Sequence, residues 1–364
     1  MRPIVPPHIE TLKPYVPGKP IEETEREYGL TGVIKLASNE NPLGPSPKAL
    51  AAIQAALSQV NLYPDGTSRA LVQRLATHLG VRPEEVVVGS GSDELIGLLI
   101  RTFTTPEDEV LLCQGSFPAY RIAAQGHGRA WREVPMREGL GYDLEAMARA
   151  LQPRTRILFL ANPDNPTGTA FGRAEWEAFL SRVPPDVLVV HDEAYFEFVD
   201  RPDHFSAVEY IHRFPHVVAL RTFSKAYGLA GLRLGYGVMD ARKVGYLHRT
   251  RLPFNLTLPA QVGGVAALDD GEHVRRTREL TLEGLRYYEA ELPPLGATLP
   301  KSHGNFVLAD FGRPAMELYE KLLRQGIIVR PQVAGGYPTS LRISVGTPEQ
   351  NRRCVAALRE VLAT

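Results

Sequence analysis

The chain has 364 residues, 44% apolar and 23% charged, with Lys+Arg and Asp+Glu both at 41 and so no net charge. This is the composition of a folded globular protein with a large core and length enough for two domains. It excludes the basic balance of a nucleic-acid or anionic-membrane partner, and two cysteines, Cys113 and Cys354, make neither a disulfide framework nor a metal site.

Six prolines fall within the first twenty residues, which predicts an extended, partly polyproline arm rather than a helix. Tyr15 and the apolar residues around it give that arm something to dock with. The opening "MRPIVPPHIE" has no apolar h-region, so no signal peptide is expected. No apolar run approaches the ~20 residues of a membrane span, and a cytoplasmic location is expected.

From about Asn39 onward strands and helices alternate. "EEVVVGSG" reads as a strand and "SDELIGLLIRTF" as a helix with one broad apolar face. "DEVLLC", "RTRILFLANP", "DVLVVHDEAY" and "HVVALRTFS" read as further strands, with "GRAEWEAFLSRV" as a helix. The strands are short, continuous and rich in Val, Ile and Leu, as in a sheet covered on both faces. The fold class is therefore α/β with a mainly parallel central sheet. After about Pro259 the texture changes. "EHVRRTRELTLEGLRYYEAEL" is a long charged amphipathic helix, and "NFVLADF", "GIIVRP" and "SLRISVG" are strands among helices. The expected division is an arm with part of the small domain (1–38), a large domain (39–258) and a smaller α+β domain (259–364).

Ligands of parallel α/β sheets bind beyond the carboxyl ends of the strands. Four predicted strands deliver polar groups there: Ser92, Asp93 and Glu94; Asn162, Asp164, Asn165 and Thr167; Asp192, Glu193 and Tyr195; and Thr222, Ser224 and Lys225. Each group alone has a plain structural reading as a turn, a helix cap or a paired buried acid. Together they suit one ligand. A phosphate fits the N-terminus of the helix at Ser92–Asp93–Glu94, with Ser224 and Arg233 completing its pocket. A pyridinium nitrogen would pair with Asp192, a ring oxygen with Tyr195 and Asn165, and an aldehyde with the amine of Lys225. That ligand is pyridoxal phosphate.

The motifs "NPDNPTG", "HDEAYFEF" and "TFSKAYGLAGLRLGY", in this order, resemble the fold-type I aminotransferases. "LASNENPLGPSP" and "LYPDGTSRAL" are similar to the histidinol-phosphate aminotransferase branch, and the resemblance spans nearly the whole chain. It implies that Lys225 is the Schiff-base lysine and Asp192 the acid that keeps the pyridine nitrogen protonated. Tyr195 and Asn165 would bond the ring oxygen, and Phe117 would stack on the ring. Ser224, Arg233 and the backbone at Ser92, Asp93 and Glu94 would form the phosphate cup. Tyr63 would reach the cofactor phosphate of a neighbouring subunit, which implies a homodimer with shared sites. On the substrate side, Arg342 and Arg330 would grip the anionic end, Tyr15 would close over it, and Asn39 and Asn305 would line the pocket. The implied reaction is transfer of the amino group of L-histidinol phosphate to 2-oxoglutarate. An aromatic aminotransferase, or a decarboxylase of a phosphorylated amino acid, would share most of these residues. A cofactor-binding regulator is the reading from another class; the neutral charge argues against it, and no added DNA-binding segment is expected. Two residues depart from the family pattern: Asp164 stands where Asn is usual, and His191 where an apolar residue is usual. His191 reads as a packing variation.

Overall fold

Runs such as "VVVGS", "EVLLC" and "LVVHD" are too short and too continuously apolar for surface helices, and they form the centre of a layered structure. The computed structural model describes residues 4–363. Its first eight strands are β1 (Ile34–Lys35), β2 (Val86–Ser90), β3 (Glu109–Cys113), β4 (Ala130–Val134), β5 (Thr155–Ala161), β6 (Leu188–Asp192), β7 (Val217–Thr222) and β8 (Leu234–Val238). Strands β2 to β8 make a seven-stranded sheet in the order β2-β8-β7-β6-β5-β3-β4. Strand β8 runs antiparallel to both neighbours, and the other pairs are parallel.

Because successive side chains of a strand point to opposite faces, the sheet feeds two cores. Leu111, Leu158, Val189 and Ala219 enter one, with Trp176 and Phe205. Val110, Ile157, Phe159, Val190 and Val218 enter the other, against Leu95, Ile96 and Leu99 of the helix Gly91–Phe103. That helix begins directly after β2, with Asp93 and Glu94 in its first turn, where acidic groups favour the positive end of the helix dipole.

The sequence reading missed the two-residue β1 and, in the large sheet, β4 and β8. In β4, "AWREV", only Val134 is fully buried, so the hydrophobic signal of this edge strand is weak. In β8, "LGYGV", two glycines weaken the strand signal, and Gly235 answers to a close approach: a Cβ there would stand 2.4 Å from the Ser92 nitrogen. A glycine inside a strand marks such an approach of backbone to backbone.

The C-terminal part holds β9 (Phe306–Asp310), β10 (Ile327–Ile328), β11 (Arg330–Gln332) and β12 (Tyr337–Ser344). A three-stranded antiparallel sheet has the order β11-β12-β9, and β10 pairs in parallel with β1. The run "GIIVRP" is thus two strands serving two sheets. Helices Gly271–Glu291, Ala315–Arg324 and Pro348–Ala363 pack on this part through Leu285, Tyr288, Leu318, Leu322 and Leu358, in one cluster with Leu341 and Ile343. The helix Leu258–Leu268 instead contributes Ala260, Ala267 and Leu268 to the core of the large sheet.

The proline-rich arm has no regular secondary structure over residues 12–20, but it is not irregular throughout. Pro7–Glu10 forms one helical turn with Pro at its first positions, where a preset φ favours a helix start. Residues 1–3 of that arm lie outside the described residues. Among the described residues no helix is long and apolar enough to cross a membrane.

Candidate active site

A cavity of about 540 Å³ opens at the carboxyl ends of β5, β6 and β7 and the start of the helix that follows β2. Its opposite wall comes from the arm and the C-terminal sheet, through Tyr15, Asn39, Arg330 and Arg342.

Lys225 follows β7 and lines the cavity with its amine hydrogen-bonded to the Ser38 carbonyl oxygen at 3.0 Å. A lone ammonium in this partly closed place is disfavoured. Burial first, and the nearby positive charge of Arg342 second, bring its pKa down to about 8. The lysine just beyond this buried strand is thus a readily neutral amine.

Asp192 is the last residue of β6, 4% exposed, and also faces the cavity. Burial raises its pKa to about 6 against the pull of two donors: the Tyr120 hydroxyl donates to Oδ2 at 2.8 Å and the Ala194 N–H to Oδ1 at 3.1 Å. Tyr120 was not picked out from the sequence. It lies three residues after Phe117 in "GSFPAY", a spacing that brings two rings together at a helix start, and their centroids are 5.5 Å apart edge to face. Phe117 lines the cavity beside it.

At the other end stand Ser92, Asp93, Ser224 and Arg233. Arg233 holds a left-handed backbone, φ 53°, which turns the chain out of a short helical turn into β8. Glycines make room for this cluster: a Cβ on Gly91 (φ +78) would lie 2.7 Å from Arg233 Nη2. The first amides of the helix Gly91–Phe103, a guanidinium and a hydroxyl therefore converge as an anion cradle. The Arg233–Asp93 contact within it is long, 3.5 Å, and exposed.

Arg330 and Arg342 are register partners on the antiparallel pair β11 and β12. Arg342 is 8% exposed, donates from Nη1 to Asn165 Oδ1 at 2.6 Å and from Nη2 to the Ala37 carbonyl, and its Nε has no partner. Burial lowers its pKa from the ordinary guanidinium value. Arg330 donates to the Val16 carbonyl and lies 5.4 Å over the Tyr15 ring. Tyr195 is buried beside them, with its oxygen accepting from Asn39 Nδ2 at 3.0 Å.

A model of the family described as aminotransferase class I and II matches residues 31–358. The chain belongs to this aminotransferase family. Histidinol-phosphate aminotransferases are among its similar relatives: that of Anaeromyxobacter sp. (strain Fw109-5) is 54% identical over 361 residues, 99% of each chain. That of Symbiobacterium thermophilum is 49% identical over 97% of each. Among solved structures, the histidinol-phosphate aminotransferase of Sinorhizobium meliloti in complex with pyridoxal-5'-phosphate superposes with a TM-score of 0.91 at 29% identity, over 100% of this chain and 98% of that one.

Of the residues given a cofactor or substrate role from sequence, three lie away from the cavity lining. The Glu94 side chain folds back to the Ser90 N–H and accepts from Asn255 Nδ2 at 2.9 Å, so it orders the helix start, and only its backbone remains for the expected phosphate cup. Asn305 stands behind Asn39, donating to its carbonyl at 3.0 Å. Tyr63 is 84% exposed and stacks on Phe254 at 4.7 Å. The two departures from the family pattern also point elsewhere. Asp164 is buried and accepts from Ser116, Tyr142 and Thr167; burial raises its pKa against those bonds. His191 packs among Phe171, Trp176 and Phe205 and meets Glu193 at 3.1 Å, and Glu193 is paired with Arg221 at 2.7 Å.

Proposed function

We propose that the chain is a pyridoxal-phosphate-dependent transaminase that moves the amino group of L-histidinol phosphate to 2-oxoglutarate, yielding 3-(imidazol-4-yl)-2-oxopropyl phosphate and L-glutamate. The observation that carries this reading is the pair Arg330 and Arg342, directly opposed on neighbouring strands and facing one cavity with Lys225. Like charges directly opposite each other on a sheet repel. A dianion such as a phosphate monoester between them turns that cost into bidentate, charge-assisted binding.

The cavity fits the cofactor by its donor set. It offers an anion cradle at the helix start, a carboxylate at Asp192, an aromatic face at Phe117 and an amine at Lys225. Bound there, pyridoxal phosphate supplies an aldehyde for amines and a ring that accepts the electron pair released at the substrate α-carbon. Ser92, Asp93, Ser224 and Arg233 would hold the phosphate, and Asp192 the ring nitrogen. Tyr195 and Asn165 would face the ring oxygen. Lys225 Nζ would hold the group through its aldehyde, and its lowered pKa suits it to act as the base for the α-proton. Tyr15, which lines the cavity from the arm, would close over the substrate. The exposed Tyr63, with Leu57, Val60, Leu62, Leu252 and Phe254 also exposed, suits burial against a second copy, in a homodimer whose sites Tyr63 would complete.

Two outcomes follow from this reading. In Arg330→Ala, KM for L-histidinol phosphate should rise about 10- to 100-fold, the worth of a charged hydrogen bond, while turnover of L-phenylalanine changes little. Equal losses for both substrates would place Arg330 outside phosphate recognition. In the cofactor-free protein, attachment of pyridoxal phosphate needs neutral Lys225. Its rate should climb about tenfold per pH unit below pH 8 and level off above it, since the pKa is about 8. A rate still climbing at pH 10 would return the lysine to its ordinary value. The reaction itself is tested by measuring glutamate formed from 2-oxoglutarate when L-histidinol phosphate is the amino donor. Carbon dioxide release without glutamate would make the chain a decarboxylase.

A further inference from the structure

Asn39 was expected to line the substrate pocket, and its polar atoms are all otherwise engaged. It is 1% exposed and holds φ 54°, a left-handed backbone that Asn tolerates better than most residues. Its N–H donates to Ser344 Oγ at 2.9 Å, and its Oδ1 accepts the Ser344 hydroxyl proton at 2.8 Å. Its carbonyl accepts from Asn305 Nδ2 at 3.0 Å, and its own Nδ2 donates to the Tyr195 oxygen at 3.0 Å. Each polar atom of Asn39 thus has a protein partner, and the second Nδ2 hydrogen is the donor left over.

The direction of these bonds matters. Ser344 has one proton and gives it to Oδ1, which turns the amide nitrogen toward Tyr195. A phenol oxygen that accepts from Asn39 keeps its single proton for its other side, and Tyr195 lines the cavity there. Ser344 lies on β12 two residues beyond Arg342, hence on the same face of that strand. Asn305 immediately precedes β9 of the same sheet.

We propose that Asn39 is a positioning residue for Tyr195: anchored by Ser344 and Asn305, its amide aims the Tyr195 proton at the ring oxygen of the cofactor and so ties the strand that carries Arg342 to the electronic state of the cofactor. The inference rests on the cofactor reading above. A donor to that oxygen favours its anionic form. Removing the Asn39 amide makes the Tyr195 hydroxyl a weaker donor, so the proton-dependent absorbance change of the bound cofactor moves to higher pH.

The test is an optical pH titration of the cofactor-bound protein without substrate, in wild type, Asn39→Gly, Tyr195→Phe and the double variant. Glycine accepts the positive φ, so Asn39→Gly removes the side chain without straining the backbone. Tyr195→Phe should raise the midpoint by about one unit, and Asn39→Gly by roughly half a unit. The double variant should match Tyr195→Phe alone, because Asn39 acts only through Tyr195. Ser344→Ala, which frees the amide to turn, should shift the midpoint in the same direction and serves if Asn39→Gly does not fold. A midpoint unmoved in Asn39→Gly while Tyr195→Phe shifts overturns the proposal alone, as does full additivity in the double variant. A midpoint unmoved in Tyr195→Phe overturns the proposal together with the cofactor reading of Tyr195.

Discussion

Replacing Lys225 by alanine should abolish turnover, by at least about 10⁴-fold, because one atom acts both as covalent anchor and as base. The variant should still take up pyridoxal phosphate, since the helix start, Arg233, Ser224 and Asp192 remain. Borohydride treatment followed by mass spectrometry checks this directly. The wild-type chain should gain the mass of the reduced cofactor, and Lys225→Ala should not. A cofactor mass fixed in the variant would mean that another lysine is the anchor, and full activity would remove Lys225 from the mechanism. No other lysine lines the cavity among the described residues.

Asp192→Asn should lower kcat by about 10²- to 10³-fold, the usual cost of removing a preorganised charge from a developing one. The substitution keeps size and burial but removes the negative charge. It also breaks the local pattern. Both Asp192 oxygens now accept, one from Tyr120 and one from the Ala194 N–H, and an amide NH₂ cannot accept from either. KM should change far less than kcat, because Arg330 and Arg342 are untouched. Steady-state kinetics separate the two, and a loss confined to KM would assign Asp192 to substrate binding instead.

The strands of the parallel sheet were legible because burial on both faces writes them as continuous Val, Ile and Leu runs. The two strands of the large sheet that were missed carry other messages in their residues. Strand β4 is a polar edge, and β8 gives up side chains at Gly235 so that the Ser92 amide can approach. The site was legible for a topological reason: parallel strands bring their carboxyl ends to one edge, so Asp192, Thr222 and Ser224 had to meet. Contacts across the two sheets were not legible. Nothing in "LASNENP" says that Asn39 spends its amide on Tyr195, because that bond spans 156 positions of sequence. Nor does "GIIVRP" say that Arg330 stands opposite Arg342, since register appears only when the strands pair. Glu94 was expected to serve the phosphate cup through its backbone; the task of its carboxylate, which satisfies the Ser90 N–H, is a purely local need.

The most direct measurement is a single half-reaction followed by the absorbance of the bound cofactor. Purified cofactor-bound protein would be mixed with L-histidinol phosphate and, separately, with L-phenylalanine at matched concentrations and without 2-oxoglutarate. A fast loss of the visible band with L-histidinol phosphate, and a far slower one with L-phenylalanine, is the result that the opposed arginines predict. Bleaching by L-phenylalanine at an equal or greater rate would contradict it, and would make the chain an aromatic aminotransferase whose Arg330 has another task.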